Sequence, residues 1–389
     1  MNFEFATAGR VLFGHGVLEQ VPPALVGWKI ASALLVTGRS PARAASFAAR
    51  LAAAGVATTP FPVAGEPTVE LARDGVRAVR EARAGAVIAY GGGSALDAGK
   101  AIAALATNGG EPLDFLEVVG RGRPLAEAPL PFVAVPTTAG TGSEVTRNAV
   151  LAVPDAGVKA SLRSPAMLPR LAVIDPGLLA GLPRAVIASS GLDALSQVIE
   201  PFLSARANPL SDALAREGIR RSAGALGRAY ANGLDDDAAA RDDLAITSVC
   251  GGLCLANAGL GAVHGFAAPA GGMLGAPHGA ICAALLPHVL AVNLRALRAR
   301  APEHPALTRF RELAALLTGR PQADVAAEDG LRFVEDLCRA LEIPGLSVHG
   351  LTRTELPLLV TRAKDASSMR GNPLTLTEKE LTEIAERAL

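Results

Sequence analysis

The chain has 389 residues, more than one compact core usually holds, so we expect two or three domains. Lysine plus arginine equals aspartate plus glutamate, at 37 each, which argues against a nucleic-acid-binding protein, since such a protein needs a basic face. No stretch of about 18 uncharged apolar residues occurs, and the start MNFEFATAGR lacks the pattern of a signal peptide. We therefore expect a cytoplasmic protein without a membrane anchor.

The first half of the chain alternates short apolar segments with helical patterns rich in alanine and arginine. The apolar segments that predict strands are RVLFG, ASALLVTG, ATTPFPV, AGAVIAYGGG, PFVAVPTT and LAVIDP. Such alternation is typical of a mostly parallel sheet with helices on both faces. From Pro183 the pattern is helical, with breaks at proline and glycine and no convincing strand. We predict an α/β nucleotide-type domain over residues 1–182 and an all-helical domain over 183–389.

The end of the second predicted strand indicates which nucleotide such a sheet would bind. Dinucleotide-binding folds place an acidic residue there to bind the ribose 2′-hydroxyl, whereas an arginine without the acid accommodates a 2′-phosphate. Here Gly38 is followed by Arg39 and Ser40. We predict that NADPH is accepted, and it is our candidate for the preferred cofactor.

A tight glycine turn follows the fourth predicted strand. Because Gly91, Gly92 and Gly93 lack side chains, phosphates can approach the backbone, and the next helix offers free N–H groups at its start. Ser94 can cap this helix or donate a hydrogen bond to phosphate, and Asp97 lies in the first turn. The motif is neither G-x-G-x-x-G nor GxxxxGK[ST], so ordinary turn chemistry is the alternative explanation.

A second polar loop, VPTTAGTGSEVT, follows the next strand. Its hydroxyl side chains are Thr137, Thr138, Thr141 and Ser143, interspersed with two glycines. Loops at the carboxyl ends of adjacent parallel strands face one crevice, where open α/β sheets bind nucleotides. Each loop alone has a structural explanation, but together they predict a nucleotide site.

The helical half contains a candidate metal site. Two of the six histidines, His264 and His278, flank a segment marked by glycine and proline, in GAVHGFAAPAGGMLGAPHGA. The segment GLDALSQVIE places Asp193 and Gln197 on one helix face, one turn apart. Histidine and carboxylate ligands from separate helices are how proteins hold a catalytic divalent metal. A pair of core histidines with satisfied hydrogen bonds is the alternative.

Other conspicuous residues have structural interpretations. The four cysteines are too few and too unevenly placed for a disulfide framework, and we interpret Cys250 and Cys254 as small packing residues. His288 is interpreted as structural. Lys100 is interpreted as a solvated charge on its helix.

These motifs together resemble the iron-containing (group III) alcohol dehydrogenase family. GGGSALDAGKA, PTTAGTGSEVT, GLDAL and the paired histidines ending in APHG occur in this order, and the similarity extends over essentially the whole chain. The resemblance implies an N-terminal Rossmann-like dinucleotide-binding domain and an all-α C-terminal domain, the plan of dehydroquinate synthase. It also implies a divalent metal, Fe²⁺ or Zn²⁺, in the cleft between the domains.

The resemblance assigns three metal ligands, with two departures from the family pattern. Asp193, His264 and His278 match family ligands, whereas Gln197 stands where the fourth ligand is normally histidine. Ala268 stands where the family commonly has another histidine, near the nicotinamide. Direct ligation by Gln197, a metal-bound water held by Gln197 and a metal-free site are the alternatives. We favour a retained metal, because three ligands plus water is itself a catalytic pattern.

The resemblance further assigns Asp97 and Lys159 to the cofactor, with Lys159 near the nicotinamide-side ribose. It implies hydride transfer between NAD(P)(H) and a metal-polarised carbonyl, hence an alcohol dehydrogenase or an aldehyde or ketone reductase with a small-molecule substrate. Because family members commonly form dimers or larger assemblies, we also expect a homo-oligomer.

Three other functions stay open at this point. A maleylacetate reductase-like enzyme would need cationic groups for a carboxylate-bearing ketone, and Arg147 or Arg370 could serve. A lyase or cyclase related to dehydroquinate synthase would use NAD only catalytically. A nucleotide-binding protein without catalysis is suggested by Gln197 and Ala268.

Overall fold

The computed structural model describes residues 2–389. The chain divides into two compact units. The first, called the α/β unit, comprises residues 6–138 and 142–180. The second, called the helical unit, comprises residues 181–389 together with 139–141 and the residues before Ala6.

The α/β unit is built on a six-stranded sheet and a separate two-stranded one. The strands are β1 (Val11–Phe13), β2 (Ser32–Thr37), β3 (Ala57–Pro62), β4 (Ala86–Gly91), β5 (Phe132–Pro136), β6 (Asn148–Val153), β7 (Val158–Arg163) and β8 (Leu171–Ile174). The large sheet has the order β1-β8-β5-β4-β2-β3, and all its pairings are parallel. Each predicted strand segment contains one of its strands, so the predicted parallel sheet is confirmed.

The central strands are apolar along their whole length because both faces of the sheet are covered. Alternate side chains of one strand enter different clusters, as with Leu35 on one face and Leu34 on the other. The covering helices are α1 (Val21–Gly27), α2 (Ala45–Ala53), α3 (Val69–Glu81) and α4 (Gly93–Thr107), and the short α5 (Pro112–Phe115) packs against α3. Gly99 brings α4 close to the sheet, since an added Cβ would lie 2.8 Å from Phe132 and 2.9 Å from Ala89.

The antiparallel hairpin of β6 and β7 was not predicted from the sequence. Both strands show the alternating burial of a sheet with only one covered face. Their connection, Pro154–Ala156, ends at Gly157, whose φ of 59° suits a residue without a side chain. The hairpin follows the second polar loop directly and therefore helps to position it.

The helical unit contains no strand among residues 181–389. Its helices are α6 (Arg184–Leu203), α7 (Pro209–Asn232), α8 (Ala238–Ala258), α9 (Ala262–Leu274), α10 (His278–Arg300), α11 (Ala306–Thr318), α12 (Ala327–Ala340), α13 (Leu356–Asp365) and α14 (Glu378–Arg387). The predicted all-helical character of this half is confirmed.

Helix α10 is long and apolar enough to span a membrane by composition alone, which the sequence analysis did not anticipate. However, 78% of its apolar window is buried inside the protein. The sequence-adjacent helices α8 and α9 pass the same test only as a pair bent by 99°. We interpret α10 as the core helix of the helical unit.

The interpretation of Lys100 as a solvated charge is wrong. The residue is 1% exposed, and its ammonium donates hydrogen bonds to the carbonyl oxygen of Ser143 and the hydroxyl of Thr146, each at 2.9 Å. Burial lowers the pKa of Lys100, although the charge of Asp97 opposes this. Lys100 therefore ties α4 to the end of the second polar loop.

Glu144 lies in the same buried region, and its carboxyl group should make the stability of the folded protein depend on pH. Burial raises its pKa from 4.5 to about 7, so between these values the folded protein keeps a proton that the unfolded chain has released. The free energy of unfolding therefore falls as pH rises through this window, by up to about 3 kcal/mol from this group. The Glu144→Gln variant should gain stability relative to the wild type as the pH rises from about 5 to about 8.

Thermal unfolding midpoints of both proteins across this pH range test the prediction. Because many groups titrate, only the difference between the two proteins is diagnostic. Parallel pH profiles would show that Glu144 is ionised in the folded protein at low pH.

Candidate functional site

The two polar loops lie at the same edge of the parallel sheet. Gly38 follows β2, Gly91 ends β4 and Thr137 follows β5, and these strands are neighbours in the sheet. The amide of Thr137 donates a hydrogen bond to the carbonyl oxygen of Gly91 at 2.9 Å. The strand order changes direction between β2 and β4, the position at which open α/β sheets bind nucleotides.

Glycine is required here because the loops touch each other. A Cβ added to Gly91 would lie 2.7 Å from that of Ala95 and 3.2 Å from the amide nitrogen of Gly38. A Cβ added to Gly92 would lie 3.2 Å from the hydroxyl oxygen of Thr138. Helix α4 starts at Gly93 without a side-chain cap, so Ser94 does not cap it and its first N–H groups are available to an anion.

Asp97 and Ser143 hold the two loops together. The hydroxyl of Ser143 donates to one carboxylate oxygen of Asp97 at 2.5 Å, and the amide of Val150 donates to the other at 2.9 Å. Asp97 on α4 thus anchors both the second polar loop and β6. Thr141, from the same loop, belongs to the helical unit in the division of the chain.

Two cationic side chains that are predicted to bind the cofactor, Arg39 and Lys159, differ in their surroundings. Arg39 and Ser40 are exposed, and the Arg39 guanidinium donates to the carbonyl oxygen of Ala64 at 3.2 and 2.9 Å. The side chain of Lys159 is only 6% exposed. Its ammonium has no hydrogen-bond partner and lies 3.5 Å from the carboxylate of Glu66. Lys159 is therefore a buried cation with unused donors.

The structure brings the three predicted metal ligands together from three helices. Asp193 lies in the middle of α6, His264 in the first turn of α9, and His278 is the first residue of α10. Oδ1 of Asp193 lies 3.4 Å from Nε2 of His264 and 3.7 Å from Nε2 of His278. This oxygen is buried and has no hydrogen-bond partner. A buried carboxylate oxygen without a hydrogen-bond partner, between two imidazoles, fits a cation-binding site.

Glycines allow this close packing of helices. A Cβ on Gly279, the second residue of α10, would lie 2.6 Å from the carbonyl oxygen of Ser189 on α6. A Cβ on Gly261, just before α9, would lie 2.8 Å from a carboxylate oxygen of Glu200. The glycines beside the two histidines therefore bring both helix starts against α6.

Gln197 lies one turn after Asp193 on α6 and is buried. Its amide nitrogen donates to the carbonyl oxygen of Gly140 at 3.1 Å, which fixes the orientation of the amide. Its amide oxygen is buried and has no hydrogen-bond partner. Gln197 therefore keeps an oxygen with which it can bind a metal or a water molecule.

Sequence reasoning missed Glu200, which orients His264. One carboxylate oxygen lies 2.7 Å from Nδ1 of His264, and the other accepts a hydrogen bond from the amide of Val263 at 2.6 Å. A carboxylate on one ring nitrogen directs the other nitrogen toward a metal. The available signal was the position of Glu200, seven residues after Asp193 and thus two turns along the same helix face.

Cys282 was missed as well. Its sulfur lies 3.6 Å from Nε2 of His278 and 3.8 Å from Nε2 of His264. Asp193, His264, His278 and Cys282 each offer a ligand atom, and all four atoms lie within 4.8 Å of one another. The signal in the sequence was that Cys282 follows His278 by one helical turn.

The protonation of the cluster reflects its negative charge. Burial lowers the pKa of His278, but the charges of Cys282 and Asp193 outweigh this and raise it to about 9. Burial raises the pKa of Asp193, but the charges of His278 and His264 outweigh it, so the net shift is downward. Both shifts favour positive charge between these side chains, which a bound cation would also supply.

The chain resembles proteins of one family along its length. Residues 8–176 match the family described as iron-containing alcohol dehydrogenase, and residues 187–389 match the C-terminal domain of the Fe-containing alcohol dehydrogenase family. A 1,3-propanediol dehydrogenase of Klebsiella pneumoniae is 35% identical over 81% of this chain and 79% of its own length.

Solved structures agree with this similarity. A 1,3-propanediol oxidoreductase has a TM-score of 0.90 at 32% identity, covering 100% of both chains. A sulfoacetaldehyde reductase from Bifidobacterium kashiwanohense, solved with NAD+, has a TM-score of 0.85 at 26% identity, covering 99% of this chain and 98% of its own. The predicted Rossmann-like and all-α plan is thereby confirmed. Neither the maleylacetate reductase nor the dehydroquinate synthase alternative is favoured by these matches.

Proposed function

Because the chain belongs to the iron-containing alcohol dehydrogenase family, whose named members act on CH–OH groups, we propose that it is a metal-dependent, NAD(P)-linked alcohol dehydrogenase or aldehyde reductase. The observation that carries the proposal is the buried Oδ1 of Asp193, which has no hydrogen-bond partner and lies beside two imidazole nitrogens. One carboxylate and two imidazoles suit either Fe²⁺ or Zn²⁺.

Asp193, His264 and His278 would hold the cation, and the amide oxygen of Gln197 is also available to it. A divalent cation there supplies Lewis-acid polarisation of a carbonyl oxygen or stabilisation of an alkoxide. Glu200 keeps the proton of His264 on Nδ1, so that Nε2 presents a lone pair. The carboxylate of Asp193 offsets part of the positive charge.

The proposed cofactor site is the sheet edge formed by Gly38, the glycine loop and the second polar loop. The free N–H groups at the start of α4 would bind the pyrophosphate. The buried ammonium of Lys159 would donate hydrogen bonds to ribose hydroxyls. The cofactor supplies the hydride, and these residues supply its position.

The source of the proton follows from a missing side chain. Ala268, one turn after His264 on α9, cannot donate or accept a proton. We propose that water or a ribose hydroxyl of the cofactor protonates the alkoxide formed from an aldehyde. Introducing histidine with Ala268→His would add a titrating group at this position.

The substrate class is proposed from the same family membership. A small neutral alcohol or aldehyde is our expectation, as suggested by the name of the 1,3-propanediol dehydrogenase. A panel of neutral and carboxylate-bearing aldehydes and ketones, assayed by oxidation of NADPH and NADH, tests it. Turnover confined to anionic ketones would favour a maleylacetate reductase-like activity, and turnover needing only catalytic NAD would favour a lyase or cyclase.

Arg39 predicts the choice of cofactor. Its guanidinium follows β2, where no acidic residue is present to bind a ribose 2′-hydroxyl. Arg39→Ala should lower kcat/KM for NADPH by roughly tenfold to a hundredfold, which is the effect expected from losing one hydrogen bond to a charged group. The value for NADH should change little and serves as the internal control. Equal losses with both cofactors, or a strict NADH preference of the wild type, would contradict the prediction.

We also expect the protein to form a homodimer, which light scattering on the purified protein would test. The cytoplasmic location likewise stays a prediction from the sequence.

A further inference from the structure

We propose that Cys282 is the fourth protein ligand of the metal, which gives this chain a site of one carboxylate, two imidazoles and one thiolate suited to Zn²⁺. The inference rests on the proposed function only in requiring that a metal is bound. Neither the sequence pattern nor the similarity to known proteins assigns Cys282 a role.

The distances between ligand atoms fit a tetrahedral cation site. Tetrahedral zinc with Zn–N and Zn–O near 2.0–2.1 Å and Zn–S near 2.3 Å separates nitrogen from oxygen by about 3.3 Å and nitrogen from sulfur by about 3.5 Å. Here Oδ1 of Asp193 lies 3.4 Å from Nε2 of His264 and 3.7 Å from Nε2 of His278. Those from the sulfur of Cys282 to His278 and His264 are 3.6 and 3.8 Å.

Helix geometry directs Cys282 at the same point as His278. The two residues are one turn apart on α10, so their side chains leave the same face of the helix. His278 lies beside the buried carboxylate of Asp193 on α6, and Cys282 lies beside the imidazole of His264 on α9. The cluster therefore converges from three helices, and it includes Oδ1 of Asp193, which has no hydrogen-bond partner.

Gln197 does not supply a strong fourth ligand, so Cys282 can take this role. An amide oxygen is a weaker donor than imidazole, and the amide nitrogen of Gln197 is committed to Gly140. A thiolate from Cys282 restores a strong fourth donor on a different helix. Because thiolates are soft ligands that suit zinc, this donor set favours Zn²⁺ more than a site of carboxylate and imidazole alone would.

The other cysteines provide a contrast. Cys250, Cys254 and Cys338 are buried as well, but none of them lies in a group of metal-binding side chains among residues 2–389. Cys282 alone among the four cysteines contacts two imidazoles. Cys250, buried and free on α8, is therefore a matched control for Cys282.

X-ray absorption at the zinc edge tests the inference on the full-length protein. Metal-free protein would be loaded with one equivalent of Zn²⁺, and its nearest scatterers determined for the wild type, Cys282→Ser and Cys250→Ser. We expect one sulfur at about 2.3 Å in the wild type and in Cys250→Ser, and none in Cys282→Ser. Zinc affinity, measured by competition with a chelator, should fall at least about tenfold in Cys282→Ser only.

The wild-type spectrum decides the matter even if the serine variant does not fold. A zinc site with nitrogen and oxygen neighbours only would overturn the assignment of Cys282 and leave the proposed metal-dependent function intact. Wild-type protein that binds no divalent metal would overturn both.

Discussion

Replacing Asp193 with alanine should lower kcat/KM by at least about a thousandfold, equivalent to about 4 kcal/mol of transition-state stabilisation. Asp193 is 1% exposed and is the only carboxylate within reach of both Nε2 atoms among the metal-binding groups of residues 2–389. Without it, two imidazoles facing one another would bind a cation far less tightly. Metal content and steady-state kinetics with an aldehyde and NAD(P)H would be measured on the same preparations.

Two further variants make this result interpretable. Asp193→Asn keeps the size of the side chain while removing its charge, so it should lose metal almost as fully as the alanine variant. Asp336→Ala removes an exposed carboxylate from α12 and should leave kinetics and metal content unchanged. An alanine variant at Asp193 that retains both metal and activity would refute the ligand assignment.

Replacing Glu200 with glutamine should weaken metal binding by about ten- to a hundredfold, although Glu200 does not itself face the cation. The carboxylate accepts hydrogen bonds from Nδ1 of His264 and the amide of Val263, and a longer one from the amide of His264. Glutamine has one oxygen and one NH₂ group, so either Nδ1 of His264 or the amide of Val263 would face another donor. His264 would then lose either its orientation or its fixed tautomer.

Chelator competition with Zn²⁺ measures this effect directly. The exposed Glu386→Gln on α14 is a control of identical chemistry. Because Glu200 acts through His264, the loss of activity in Glu200→Gln should be partly recovered at saturating metal. A variant with unchanged metal affinity would show that the contact between Glu200 and His264 is only structural.

The parallel sheet was predictable because strands buried on both faces are continuous apolar runs, as in β4 and β5. The hairpin of β6 and β7 was missed because half-buried strands show only a weak alternation of apolar and polar residues. Its turn at Pro154–Ala156 and Gly157 was a local signal that was not used.

The candidate metal site was predictable in part for a chemical reason. His264 and His278 are rare residues in an unusual segment, so they stood out as candidate metal ligands, with a pair of core histidines as the alternative. Glu200 and Cys282 are ordinary helix residues by sequence, and their roles depend on distances to His264 that only the packing of α6, α9 and α10 sets. Lys100 was misjudged for the same reason, since its acceptor Ser143 lies 43 residues further along the chain.

The most direct test of the central claim is the activity of one preparation with and without its metal. The protein would be stripped with a chelator, its metal content determined by mass spectrometry, and oxidation of NAD(P)H by an aldehyde followed before and after reloading with Fe²⁺ or Zn²⁺. The account predicts that activity is lost with the metal and returns as about one equivalent per chain is restored. Full activity of metal-free protein would contradict it.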